Sequence, residues 1–506
     1  MSNDKTFIRN VSVLSFVGIL VRIIGLFYRI PLTNIIGNEG NGYYGSAYNI
    51  YTMILLISST SIPMAVSKIL SSNQWKKEEK TEVFRCMIIY AFISGFIGSE
   101  ICYSFAHILT IGNTKAIPVL KMLAPTIFFS SLMGTFRGYF QSKKNMVPTA
   151  ISQLIEQLIN AIVSISMSYF LIRSMGQNKA IWGAVGGATG TLAGAIAGFI
   201  FLLILYFSFK KKEEKEKKIK SNKKEIYKVL ILTMIPMILS TFVHNIGATI
   251  DMTLFYNILQ WKEMDYQNLS NLYGVYSGQF LVLYHVPTAL VATISISIMP
   301  LISSAKTKKE IKKNSYKAMQ TTCMIIFPCV AGLILLAEPI LQVLFHQSGE
   351  YFDLSVKFLQ LGIIGTIGSS FTTVMITILQ GLNHMKTPIK NITISIIIQT
   401  ILNTILLLFT NLNIYVLIVS TITYSILTCY LNMKSLSKDI PIVKLWKKSI
   451  KTPLIATIIM LIVLIFLIYL QTICQLSVYL FLAISICVSI FIYFGSYYLL
   501  YKKNIR

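Results

Sequence analysis

Fourteen apolar stretches, each long enough to cross about 30 Å of hydrocarbon as a helix, run along this chain. They fall at 11–36, 43–72, 83–110, 117–141, 147–173 and 180–209. After a polar break they resume at 228–257, 271–304, 316–345, 354–383, 387–410, 413–434, 451–472 and 477–501. Of the 506 residues 54% are hydrophobic and 13% charged, with a mean hydropathy of +0.67. A water-soluble chain of this size needs more polar surface to cover its core. The sequence therefore predicts an all-α integral membrane protein of about fourteen transmembrane helices. The first stretch is too long for the apolar part of a secretory signal and no small-residue cleavage site follows it, so it reads as the first membrane helix.

The formal net charge is +26, yet the basic residues cluster between the apolar stretches, and no nucleic-acid partner is expected. Their distribution sets an orientation, because cytoplasmic loops collect Lys and Arg. With the N-terminus inside, the inner loops carry Lys76, Lys77, Lys80 and Arg85, then Lys143 and Lys144, and then the Lys-rich linker 210–227. Lys306, Lys308, Lys309, Lys312, Lys313, Lys317, Lys386 and Lys390, with the 434–451 segment, complete the set. The opposite loops hold only Lys115, Arg173, Lys179 and Lys262 beside Glu39, Glu263, Asp265, Glu350 and Asp353. An even number of crossings with both termini cytoplasmic follows. The linker itself reads as a solvated loop that meets anionic lipid headgroups.

A faint internal repeat supports two six-helix lobes, 1–209 and 228–434, on either side of that linker. IPMAVSKILSS at 62–72 is echoed by IMPLISSAKTKK at 298–309, and FRGYFQSKKNMVP at 136–148 by LQGLNHMKTP at 379–388. Each pair links a helix to the sixth one after it. Duplicated bundles are a transporter pattern. Pro63 and Pro300 stand at matching places in the two halves and are candidate hinges, since Pro lets a helix bend. The small-residue run GAVGGATGTLAGAIAG at 183–198 reads as a place where a helix thins, or where helices pack closely.

An ionisable group inside a bilayer costs a few kcal/mol or more and marks function by default. Arg22 and Arg29 are seven residues apart and share one face of the first helix. With Lys68, Arg137 and Glu156 they are the candidate lining of a water-filled cavity for an anionic substrate, because the planar fork of arginine suits phosphate oxygens. An internal ion pair between Arg22 and Glu156 is the structural alternative. Asp251 and His244, also seven apart, are candidates for a coupling Na⁺ or a proton relay. The seven cysteines form no C-x-x-C pair and no metal spacing with His, so neither a metal site nor a cofactor is expected. No P-loop occurs, which argues against direct use of ATP.

Residues 22–71, RIIGLFYRIPLTNIIGNEGNGYYGSAYNIYTMILLISSTSIPMAVSKILS, resemble the opening signature of the stage V sporulation protein B-like family. Residues 272–305, LYGVYSGQFLVLYHVPTALVATISISIMPLISSA, resemble its eighth helix. The family lies in the multidrug/oligosaccharidyl-lipid/polysaccharide exporter superfamily, beside the MurJ-type lipid II flippases. The resemblance implies two six-helix lobes around a central cavity, with two extra helices at 435–506. It implies a bacterial plasma-membrane flippase, not an enzyme, that moves an undecaprenyl-pyrophosphate-linked saccharide from the inner to the outer leaflet by alternating access. Its partners would be that lipid-linked saccharide, membrane lipids and cell-envelope biosynthesis enzymes. Basic residues of the first helix line the cavity in such flippases, which maps here onto Arg22 and Arg29, spaced Arg22-x-x-Gly25-x-x-x-Arg29 with one residue more than the flippase pattern. The eighth-helix arginine of those flippases has no counterpart; Gln279 and His285 are the nearest polar residues. An ion-coupled multidrug exporter is the alternative on the same fold, disfavoured by the basic character of the cavity residues.

Overall fold

A computed structural model describes residues 2–72, 75, 77–110, 113–210, 223–303, 305 and 307–505, and most of the linker lies outside them. Helices occupy the apolar stretches, and no strand occurs among the described residues. The chain forms two compact units, Met1–Gly274 and Val275–Arg506. The first contains α1 (Ser2–Leu55), α2 (Ile62–Ser71), α3 (Lys77–Ser104), the short α4 (Ala106–Leu109), α5 (Ile117–Ser142), α6 (Val147–Ser174), α7 (Lys179–Lys210) and α8 (Lys223–Trp261). It closes on α9 (Tyr266–Val275). The second contains α10 (Leu281–Ser303), α11 (Lys308–Leu335), α12 (Ala337–Phe345), α13 (Glu350–Gly362), α14 (Gly365–Gly381), α15 (Lys386–Phe409), α16 (Tyr415–Leu436), α17 (Ile442–Cys474) and α18 (Val478–Ile505).

Among the described residues eleven helices are long and apolar enough to span a membrane, or twelve when α13 and α14, bent by 45°, count as one span. The expected fourteen is not reproduced as a count, for three reasons. The stretches at 11–36 and 43–72 run together as Val17–Ser71, 55 residues long. At about 1.5 Å per residue that is roughly 80 Å of helix, far more than one bilayer core takes up. The stretch at 354–383 is the bent pair, and α8 is not among the eleven. Apolar side chains point outward as well as inward: Phe409 is 81% and Phe491 79% exposed. Water would penalise such a surface, whereas lipid solvates it.

Small residues set the closest packing. In the first unit α7 lies along α6, where Ser168 Oγ donates to the Gly183 carbonyl at 2.8 Å and Ser164 Oγ to the Gly187 carbonyl at 2.8 Å. A Cβ at Gly186 would overlap the Ser168 backbone. The glycine run thus does not thin or break α7, which is continuous; it seats one helix on another, as small residues do in membranes.

The repeated motifs make repeated contacts. A Cβ at Gly138 of α5 would come within 2.6 Å of Val66 Cβ and 2.7 Å of the Pro63 carbonyl oxygen in α2. A Cβ at Gly381 of α14 would come within 2.7 Å of Ile302 Cγ2 and 3.7 Å of the Met299 carbonyl oxygen in α10. Pro63 sits in the first turn of α2, directly after a π-helical segment, Leu56–Thr60. Pro300 lies near the end of α10, with its side chain outside the described residues.

Candidate functional site

One backbone break builds the site. Gly37 has φ 68° and ψ −178° inside α1, a conformation that residues with a Cβ essentially never adopt. It coincides with the gap between the first two apolar stretches. The break is stapled by Asn41, whose Nδ2 donates to the Gly37 carbonyl at 2.7 Å and the Thr33 carbonyl at 3.2 Å. These are carbonyls that an interrupted helix leaves unpaired. In a straight helix Arg29 and Tyr44 would stand about 22 Å apart. The break brings them into contact.

The Arg29 Cζ lies 4.6 Å from the centre of the Tyr44 ring and 5.6 Å from that of Tyr48. The two rings are stacked, with centres 5.6 Å apart and planes 14° from parallel, and Tyr51 extends the row at 5.6 Å. Their positions, 44, 48 and 51, fall on one helix face. Tyr28 completes the surround and accepts a hydrogen bond from Asn160 Nδ2 of α6 at 3.4 Å. Arg29 is half-buried. Among the described residues no carboxylate pairs with it and no acceptor takes its N–H groups. A cation over an aromatic face gains about 0.5–1 kcal/mol when exposed and about 2 or more when desolvated. That leaves the hydrogen-bonding capacity of the guanidinium unused, so the site is suited to an incoming anion with oxygen acceptors.

Arg137 and Glu156 behave differently. Arg137 Nη2 lies 2.7 Å from Glu156 Oε2, and its Nε donates to Ser152 Oγ at 2.9 Å. The pair joins α5 to α6 and cancels its own charge. Glu156 therefore pairs with Arg137 and not with Arg22. Arg22 and Lys68 are exposed, so the five candidate cavity residues separate into one aromatic-backed arginine, one satisfied ion pair and two exposed cations. Asp251 is half-buried on α8 and engaged with a partner, while the side chain of His244 lies outside the described residues.

Beyond the break, α1 interlocks with α8 and α9. Asn49 Nδ2 donates to Tyr273 Oη at 2.6 Å and Ser46 Oγ to Tyr256 Oη at 3.2 Å. Glu39 accepts from Tyr43 Oη at 2.5 Å and from Gln267 Nε2 at 3.1 Å. A Cβ at Gly42 would overlap the Ser270 backbone, and one at Gly274 the Asn38 carbonyl. The charge pattern singles out Arg29 but not Tyr28, Tyr44, Tyr48 or Asn160. The available signal was the spacing of tyrosines in YYGSAYNIY, four and three residues apart.

The family described as Polysaccharide biosynthesis protein matches residues 7–306. The chain is 24% identical over 425 residues to the lipid II flippase MurJ of Bacillus subtilis (strain 168), covering 79% of this chain and 77% of that protein. It is 23% identical over 456 residues to the stage V sporulation protein B of the same organism, covering 87% and 85%. Among solved structures, the inward closed conformation of the lipid II flippase MurJ superimposes with a TM-score of 0.73 at 20% identity, over 97% of this chain and 99% of that one. An inward-facing multidrug resistance MATE family transporter superimposes with a TM-score of 0.69 at 13% identity, over 85% and 99%.

Proposed function

Because the chain belongs to the polysaccharide biosynthesis protein family, we propose that it is a flippase carrying an undecaprenyl-pyrophosphate-linked saccharide from the inner to the outer leaflet of a bacterial cell membrane. The observation that carries this reading is Arg29, an intramembrane arginine held against tyrosine rings with its N–H groups unclaimed. A cation that costs energy to keep in a membrane span, and that no protein carboxylate neutralises, suits the pyrophosphate of such a lipid. The similarity to proteins named as a lipid II flippase and a stage V sporulation protein supports the same class of substrate.

The mechanism is alternating access with both termini cytoplasmic. Pro63 and Pro300 bend as the lobes rock, and the lipid tail stays in the membrane. Drive comes from the membrane potential or from a cation, Na⁺ or H⁺, taken at Asp251 and His244. The protein changes the leaflet of its substrate and breaks no bond in it.

The test is rescue of cells depleted of their lipid II flippase, at matched protein level. Wild type is expected to rescue, Arg29→Ala to fail, and Arg22→Ala to retain most of the rescue. Rescue by Arg29→Ala would remove the arginine from the mechanism. Failure of well-expressed wild type would turn the reading towards another lipid-linked polymer, or towards a multidrug exporter like the MATE neighbour.

A further inference from the structure

We propose that Tyr44 and Tyr48 are positioning residues for Arg29: their stacked rings fix the guanidinium so that its N–H edge meets a pyrophosphate, and lysine replaces it only in part. The inference rests on the reading of Arg29 as an anion site. Three observations carry it. The guanidinium carbon lies over the Tyr44 ring at 4.6 Å and beside the Tyr48 ring at 5.6 Å, while the rings themselves are nearly parallel. Arg29 is in no ion pair or hydrogen bond among the described residues, so these rings, and no carboxylate, define where its head group rests. Tyr44 is fully buried and its hydroxyl has no hydrogen-bond partner, so the face of its ring is what it offers to the site.

The chemistry follows from the shape of the cation. A guanidinium is planar and its donors lie in that plane, so a ring beneath it leaves the donors directed sideways, available to two phosphate oxygens at once. An ammonium is a compact, strongly hydrated point charge without such a plane; set over the same rings it binds an anion without fixed orientation. A carboxylate in place of the tyrosines would orient the arginine equally well, but it would also neutralise it and occupy the donors. Aromatic rings orient the cation without competing for its hydrogen bonds. The device is assembled across the Gly37 break, with the cation on one side and the rings on the other.

The experiment is calorimetric binding of inorganic pyrophosphate and of farnesyl pyrophosphate to the purified full chain, as a double-mutant cycle. Helicity and a monodisperse elution profile serve as the check on folding. Tyr48→Leu is expected to weaken binding of both probes about tenfold, Tyr48→Phe to rescue it, and Tyr48→Leu to add nothing in an Arg29→Ala background. Tyr44→Leu should behave likewise, and where it does not fold, Tyr44→Phe is the informative variant: it keeps the ring, removes the orphan hydroxyl and should still bind. Arg29→Lys keeps the charge without the planar fork and should bind more weakly than wild type, though less weakly than Arg29→Ala. The positioning role is overturned if Tyr48→Leu binds as wild type, if its loss is as large without Arg29, or if Tyr44→Phe abolishes binding. Unchanged binding in Arg29→Ala strikes the anion site itself, and so separates failure of that reading from failure of the tyrosines. A loss confined to farnesyl pyrophosphate would place the tyrosines against the prenyl chain and would also overturn their role at the arginine.

Discussion

The two units repeat a skeleton and fill it with different chemistry. Gly138 of α5 packs on α2 at Pro63 and Val66, and Gly381 of α14 packs on α10 at Met299 and Ile302. The residue before the first glycine is Arg137 and the residue before the second is Gln380. In the first unit the arginine pairs with Glu156, and a second arginine rests on tyrosine rings nearby. In the second, α14 carries no charge, α15 and α16 carry it only near their ends, and their buried polar groups are amides and hydroxyls. Asn391 Nδ2 donates to Asn432 Oδ1 at 2.9 Å and to Ser435 Oγ at 3.1 Å; Asn403 Nδ2 and Gln399 Nε2 both donate to Ser420 Oγ. Neutral groups hydrogen-bonded in this way hold helices together at small cost, even where an atom such as Asn432 Nδ2 is buried without a hydrogen-bond partner. Charges cost more wherever they sit in a membrane. Every charged side chain described in the second unit is exposed, whereas Arg29, Arg137 and Glu156 of the first are not, which agrees with the proposal that the first unit handles an ionic ligand.

The largest expected effect comes from removing the break in α1 of the first unit. Gly37→Val places a β-branched residue at φ 68°, a strain of about 1–3 kcal/mol or more. Relief by straightening α1 would separate Arg29 from Tyr44. Loss of rescue in flippase-depleted cells, with reduced thermal stability in detergent, is the expected outcome. Full activity would show that the Arg29–tyrosine contact is not needed. Next is the ion pair. Glu156→Gln leaves Arg137 uncompensated, at an expected cost of about 1–3 kcal/mol, since full burial would cost about 3–5 and Glu156 is about a third exposed. The double variant Arg137→Gln/Glu156→Gln gives α5 the residue that α14 carries before its glycine, and should recover most of that stability. If thermal unfolding shows the double variant no better than the single, the two units do not share a neutral ground plan. Smaller again is the glycine contact itself. Gly138→Ala should lower stability by about 1–3 kcal/mol through overpacking against Val66 and the Pro63 carbonyl, and Gly381→Ala by less, since only the Ile302 side chain stands in its way; no loss at either glycine would weaken the match between the repeats.

The sequence was most legible where physics is one-dimensional. Apolar length located the helices, and the gap between the first two stretches fell on Gly37. The repeated Pro and Gly motifs pointed to contacts that the two units do make. Side-chain partnership was less legible. Arg22 and Arg29 look equivalent at seven-residue spacing, but only Arg29 lies close enough to the break to meet tyrosines from beyond it. Glu156 lies 19 residues from Arg137, and no periodicity links residues on different helices. The glycine run at 183–198 reads as either a bend or a seam. The serines of α6 decide it, because Ser164 and Ser168 bond to the α7 backbone.

The smallest expected effect tests the neutral half of the comparison. Asn391 is 6% exposed and Asn432 fully buried, and the bond between them ties α15 to α16. In water-excluded surroundings an unmade bond is costly, yet unfolded helices in a membrane also find partners, so measured interhelical bonds average about 0.6 kcal/mol and reach about 1.7. Asn432→Ala is therefore expected to lower stability by about 1 kcal/mol. Rescue of flippase-depleted cells should remain intact, because the bond joins two helices and faces no ligand in the proposed mechanism. Asn391→Ala should cost slightly more, since it removes the donor to Ser435 as well. The decisive measurement is activity at matched stability: an Asn432→Ala protein that unfolds like wild type but does not rescue would put function in the second unit's amides. The charges of the first unit would then no longer be enough to locate the ligand.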